Sequence, residues 1–187
     1  ITPYRLTLEL TANPIWYAVL ALPTINTPQT DNVTEITASY YVSTLATAIA
    51  NANPQITNTI RQWMQKSDAT LTSPLEKTPE LKSILLQLSP WVTEAQNETQ
   101  QMHSLGELLD VNRQNYISQQ AIDKLAELQN EDGGWSWFKG FNSSTFMTEN
   151  VLEAMARLVS LNVTSHPEKV KKMQIKALQF LDKQIQE

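Results

Sequence analysis

Cysteine is absent from the 187 residues, which removes disulfides, thiolate metal sites and any cysteine nucleophile and leaves the redox compartment open. The two histidines, His103 and His166, are far apart in sequence. His103 lies between Met102 and Ser104 in a helical stretch and His166 precedes Pro167, so both read as packed or surface residues rather than general bases or metal ligands. Glu107, Asp110 and Asp132 are the carboxylates that a cleft enzyme would pair for acid–base work. All three sit at helix ends, where solvation and capping account for them. No catalytic residue, metal or cofactor is expected, and the chain is not read as an enzyme.

The densest chemical pattern is Gln129-Asn130-Glu131-Asp132-Gly133-Gly134-Trp135, within a stretch from Glu131 to Ser144 that holds three of the four glycines and the aromatics Trp135, Trp137, Phe138 and Phe141. Asp132 can bond its own downstream amides, the glycines permit positive φ, and Trp135 can fold back on the helix before it. Two readings stand side by side: a clamp joining one helical hairpin to the next, or an aromatic cluster that binds a ligand.

A content of 41% apolar, 18% charged and 7% aromatic residues suits a folded chain with one good-sized core or two small ones. The longest apolar run, Ile15 to Leu22, is too short to cross a membrane. Fourteen Lys and Arg against nineteen Asp and Glu give a net charge of −5 without a basic cluster, so nucleic acid is not an expected partner. The opening Ile1-Thr2-Pro3-Tyr4-Arg5 has no charged signal start and no initiating methionine, and is read as an internal portion of something longer. Asn32-Val33-Thr34, Asn97-Glu98-Thr99, Asn142-Ser143-Ser144 and Asn162-Val163-Thr164 match the glycosylation pattern, a chance event in a chain this rich in Asn and Thr.

The elements that would position these residues are almost all helical. Tyr4, Leu6, Leu8 and Leu10 alternate with polar residues and predict one strand, within residues 1–12. Asn13-Pro14 opens a short buried helix over Ile15 to Leu22 that Pro23 closes, and residues 24 to 34 read as a loop. Asn53-Pro54, Thr78-Pro79, Ser89-Pro90 and, more loosely, His166-Pro167 mark helix starts. Spacings of three and four link Ile36, Tyr40, Leu45 and Ile49; Ile56, Ile60, Trp63 and Met64; and Leu81, Leu85 and Leu88. They continue through Ile117, Ala121, Leu125 and Leu128; Met147, Val151, Met155 and Leu158; and Val170, Met173, Ala177, Phe180 and Leu181. The last helix also carries Ile175, Leu178 and Ile185 and is expected to be buried on two faces. The fold class is all-α, an array of stacked helical hairpins with one short N-terminal strand.

The Gln129, Asp132, Gly133 and Trp135 spacing resembles the turn of α/α-toroid proteins, among them terpene cyclases, protein prenyltransferases and the thioester domains of the α2-macroglobulin and complement family. Asn13-Pro14-Ile15-Trp16-Tyr17-Ala18-Val19-Leu20-Ala21-Leu22-Pro23 is similar to the segment leading into the thioester domain of bacterial α2-macroglobulins. Pro90-Trp91-Val92-Thr93-Glu94-Ala95-Gln96-Asn97-Glu98-Thr99 and Gly133-Gly134-Trp135-Ser136-Trp137-Phe138 resemble the same subfamily, so the likeness spans residues 13 to 150. Prenyltransferases need a zinc site built partly from cysteine and terpene cyclases an Asp-rich motif, and the sequence has neither.

Aligned from Ala21-Leu22-Pro23 to Ser39-Tyr40-Tyr41, the family's Cys-x-Glu-Gln thioester falls on Asn32-Val33-Thr34-Glu35, without its cysteine or its glutamine. The histidine that the family commonly places after the aromatic turn is missing from Ser143-Ser144-Thr145-Phe146-Met147-Thr148. The resemblance therefore implies that residues 1–12 enter from a preceding domain and that residues 13–187 form part of an α/α toroid, an arc whose last helix would be exposed if left open. The parent protein would be a bacterial endopeptidase inhibitor of the cell envelope, periplasmic or membrane-anchored, that traps proteases sterically and without a covalent bond. Its partners would be neighbouring domains of the same chain and the target endopeptidases.

Overall fold

The computed structural model describes residues 21–23, 25, 26, 28–65 and 103–186, and among these the chain is all-α. Five helices are α1, Val33–Ala52; α2, Pro54–Gln65; α3, Val111–Leu128; α4, Thr145–Ser160; and α5, Pro167–Gln186. Residues 21–23 and 103–108 are also helical. The expected strand within residues 1–12, the segment from Ile15 to Leu20, the starts at Thr78-Pro79 and Ser89-Pro90, and the Leu81, Leu85 and Leu88 stripe lie outside the described residues. Among those described, the one β feature is an isolated antiparallel bridge between Trp135 and Ser144.

Helix α1 starts inside the stretch read as loop, because Asn32 accepts a hydrogen bond from the Thr34 N–H at 2.8 Å and so caps the first turn. It is the central helix, packed against α2, α3 and α4. Ile36 and Tyr40 are buried as their spacing requires, whereas Leu45 and Ile49 are only half-buried. Beside Val33 and Val42, the remaining buried surface of α1 is small or hydroxylic, from Thr37, Ser39, Ser43, Thr44, Ala46 and Ala50. These hydroxyls are satisfied within the fold: Thr37 Oγ1 donates to Val33 O at 2.7 Å, Ser43 Oγ to Tyr40 O at 3.1 Å and Ser39 Oγ to Asn26 O at 3.2 Å. Small side chains let neighbouring helices approach α1 on several sides, which a count of large apolar residues does not capture.

Two cores flank α1. Its first half, with Val33, Ile36 and Tyr40, joins Ile122, Leu125, Trp135, Met147, Met155, Leu158, Val170 and Met173. Its second half, with Val42, Ala46 and Ala50, joins Ile60, Leu105, Leu108 and Leu109. The Tyr40 hydroxyl donates to Ser165 O at 2.7 Å, and the Thr44 and Ser165 hydroxyls lie 2.8 Å apart, fastening α1 to the α4–α5 connection. Burial is the main cause that raises the Tyr40 pKa above its ordinary value.

The other helix ends follow capping chemistry. Pro54 and Pro167 take the first positions of α2 and α5. Asp110 caps α3 by accepting from Asn112 N at 3.0 Å and Arg113 N at 3.2 Å, and Ser144 caps α4. Asn162 closes α4 at φ +56, while Val163 N reaches back to Leu158 O at 3.1 Å.

The expected stripes of α4 and α5 are buried at Met147, Val151, Met155 and Leu158 and at Val170, Met173, Ala177 and Phe180. Leu181 and Ile117 are half-buried. The expectation that α5 is buried on two faces is overturned. Ile175, Leu178 and Ile185 are exposed, because α3 and α4 are the described helices that meet α5 and both lie on its other side. No helix among the described residues is long and apolar enough to cross a membrane.

Candidate functional site

The turn after α3 is built by local polar bonds around two glycines. Asp132 Oδ1 accepts from Gly134 N at 3.0 Å and from Ser143 Oγ at 2.7 Å, and Asn130 Nδ2 donates to Ser143 Oγ at 2.9 Å and Phe141 O at 3.1 Å. Gln129 Nε2 donates to Gly133 O at 2.8 Å and to Met173 O at 3.0 Å, which ties the turn to α5. Gly133 has φ +95, and a Cβ there would lie 2.3 Å from the Lys176 carbonyl oxygen. At Gly134 an added Cβ would meet the Ser143 side chain at 2.6 Å. Both positions therefore require glycine.

Trp135 is fully buried. Its indole Nε1 donates to Leu125 O at 2.9 Å, on the helix that has just ended, and its backbone N–H donates to Thr148 Oγ1 at 2.9 Å. Thr148 Oγ1 in turn donates to Ser144 O at 2.8 Å. The turn thus joins α3, α4 and α5 through one ring and a handful of bonds.

The other aromatics point outward. Phe138 is 44% exposed and Phe141 65%, with Trp137 and Phe146 between them. Trp137 stacks on Phe146 with ring centroids 6.1 Å apart, and Phe138 meets Phe141 at 6.3 Å. The cluster singled out in the sequence therefore divides into one buried anchor and a four-ring outer patch. Phe146 joins that patch only through the fold, which sets the start of α4 beside Trp137.

The structure also brings Asn32, Val33, Thr34 and Glu35 to this loop. Val33 N donates to Trp137 O at 3.2 Å, Val33 is fully buried, and Thr34 Oγ1 lies 4.0 Å from Met147 Sδ. Asn32 is the cap of α1, and Glu35 turns back to accept from Gln29 N at 2.7 Å and Thr30 N at 2.9 Å. These bonds, the Thr30 amide first, hold the Glu35 carboxyl below its ordinary pKa. Thr30 Oγ1 also donates to Glu35 Oε1 at 3.1 Å, so both carboxylate oxygens are engaged by the loop before α1.

The remaining candidates are dispersed. His103 is half-buried on the helix over residues 103–108, and His166 is half-buried at φ +52 just before α5. Glu107 pairs with Arg113 at 3.0 Å, and Asp110 is occupied as a cap. Among the described residues no three His, Asp or Glu side chains converge as metal ligands.

One feature escapes the sequence altogether, an open groove of about 880 Å³ between Asn26 and residues 28–31, the start of α1 and the α3 face carrying Gln120, Asp123 and Lys124. The carboxylates along it are paired: Asp123 with Lys169, Glu127 with Lys139, and Asp31 with Lys124 at 3.3 Å. Hydrogen bonding from Lys169 is the main cause lowering the Asp123 pKa, and hydrogen bonding from Lys139 does the same for Glu127. Asn26 anchors the floor by donating to Gln114 Oε1 at 2.8 Å. Comparison with known proteins adds no relative: no family model, no curated protein and no solved structure matches the chain.

Proposed function

We propose that this chain is a helical scaffold within a bacterial α2-macroglobulin-like endopeptidase inhibitor of the cell envelope, one that traps its targets sterically and without a thioester. The reading takes the five helices as part of an α/α-toroid arc, packed against neighbouring domains of the same parent chain. One observation carries it. Where the resemblance puts the reactive pair, Asn32 caps a helix, Val33 is sealed in the core, and Glu35 is held by the amides of Gln29 and Thr30. The position is a helix start and lacks the cysteine sulfur that a thioester needs.

The test uses the full-length parent. Incubated with endopeptidases that cut it, the parent should block cleavage of a large protein substrate while cleavage of a small peptide continues, and the protease should separate on denaturation. Unimpaired cleavage of both substrates refutes the inhibitor.

A second reading rests on the outer patch of Trp137, Phe138, Phe141 and Phe146. Four exposed rings in pairs are more apolar surface than a turn requires, and they suit a repurposed module that binds a ligand or a protein. Substituting Trp137 and Phe146 by alanine would abolish such binding without unfolding the chain, whereas a pure scaffold would lose nothing but domain contacts.

A further inference from the structure

We propose that the outer face of α5 is a self-association surface on which a second copy of this chain docks antiparallel across a two-fold axis. Lys171, Ile175, Leu178, Asp182 and Ile185 succeed one another at steps of four, three, four and three, the spacing that keeps residues in one stripe of a helix. Val170, Met173, Ala177 and Phe180 take the opposite, buried side. Ile175 and Leu178 are half exposed, and Ile185 is 83% exposed. Among the described residues Lys171 and Asp182 form no ion pair.

The stripe is self-complementary. The point between Lys176 and Ala177 is equally far in sequence from Ile175 and Leu178, and equally far from Lys171 and Asp182. Two copies laid antiparallel about that point set each Ile175 against the partner's Leu178 and each Lys171 against the partner's Asp182. Two apolar layers in the middle are then bracketed by two symmetric ion pairs, an isologous interface. A parallel pair would set lysine on lysine and aspartate on aspartate, so the charges select the orientation. Gln174, Gln179 and Leu181 flank the stripe and bring no like charges together across the axis.

In the same register Ile185 reaches the partner's α5 at the level of Glu168. A shallow groove of about 390 Å³ opens there between the end of α4 and the start of α5, lined by Val159, Pro167, Val170 and Lys171 among others. The most exposed large apolar side chain on the helix thereby gains an apolar seat, and the exposed Val159 is covered with it. One helix face and one groove per copy place the contact at the small end of specific interfaces, with an affinity of roughly micromolar order.

The test is sedimentation velocity on this chain over about three decades of concentration at neutral pH and low salt, with circular dichroism to confirm that each variant is folded. The wild type should show a reversible monomer–dimer equilibrium, and Leu178→Asp should abolish it. Because the two-fold axis applies every change twice, Lys171→Glu or Asp182→Lys alone should weaken the dimer about tenfold. The doubly reversed chain K171E/D182K should return to within about threefold of the wild type, since each new glutamate again faces a new lysine. A wild type that stays monomeric throughout overturns the proposal. So does association that survives Leu178→Asp, or a double reversal that recovers nothing.

Discussion

Gly133→Ala isolates the contact by which the turn after α3 grips α5. Two costs add. At φ +95 an alanine is strained, which costs about 1–2 kcal/mol. Its methyl would also lie 2.3 Å from the Lys176 carbonyl oxygen and 2.8 Å from the carbonyl carbon, both backbone atoms that no rotamer change can move. The turn must lift off α5, which loosens the Gln129 bonds to Gly133 O and Met173 O, at about 1 kcal/mol each. The total is about 3–4 kcal/mol, a large part of the margin that keeps a domain of this size folded. Gly140→Ala is the control, because φ there is +88 and nothing lies within 4 Å of the added methyl. It should lose only the strain, about 1–2 kcal/mol. Urea unfolding followed by circular dichroism reads both, and Gly133→Ala should lower the midpoint at an unchanged slope. In a thermal melt the difference between the two variants should be roughly 4–8 °C. Equal losses for the two substitutions would refute the assignment of the Lys176 contact, because strain would then account for everything.

Thr148→Val keeps the shape but leaves the Trp135 N–H, which donates to Thr148 Oγ1 at 2.9 Å, buried without an acceptor. It should cost about 1–3 kcal/mol in the same assay, with Thr148→Ser close to wild type. Glu35 has a folded-state pKa below the ordinary value of 4.5, so its contribution is complete above that value and is lost as the pH falls through the lowered one. Glu35→Gln should therefore reduce the urea midpoint at neutral pH and flatten its decline below pH 4.5, whereas parallel curves for variant and wild type would contradict the linkage. Trp135→Phe removes the bond to Leu125 O and should destabilise by about 1–2 kcal/mol. Trp137→Ala, at an exposed ring, should change stability by less than about 1 kcal/mol, and a larger loss would mean that the outer patch is part of the core.

What the sequence discloses and what it hides divide along a physical line. The inner stripes of α4 and α5 are legible because Met147, Val151, Met155 and Leu158, like Val170, Met173, Ala177 and Phe180, are large, apolar and regularly spaced. The turn is legible because Asp132 bonds the Gly134 amide two residues on, Gly133 takes a positive φ and Trp135 reaches back only to the end of the preceding helix, although the Lys176 contact that also demands Gly133 lies beyond any local pattern. Helix α1 is harder, since much of what it buries is serine, threonine and alanine whose hydroxyls find partners on the backbone. Apolar spacing alone also cannot say what covers a face, and so Ile175, Leu178 and Ile185 suggest burial where none of the described helices supplies a neighbour. The meeting of Val33 with Trp137 is hidden for a further reason: it is one hydrogen bond between segments about a hundred residues apart, and no local pattern encodes it.

That meeting also bears on what the N-terminus of α1 can do. A helix start offers free amides and a partial positive charge, which makes it a ready place for an anion or a developing oxyanion. Here the amides of Val33 and Thr34 are taken by Trp137 O and by the Asn32 side chain, and the Glu35 carboxylate sits in the first turn. An incoming anion would have to displace a protein acceptor and approach a carboxylate that two further amides hold in its charged form. One of the bonds that close this end, from Val33 N to Trp137 O, also fixes the backbone of the loop that carries the exposed Trp137 ring.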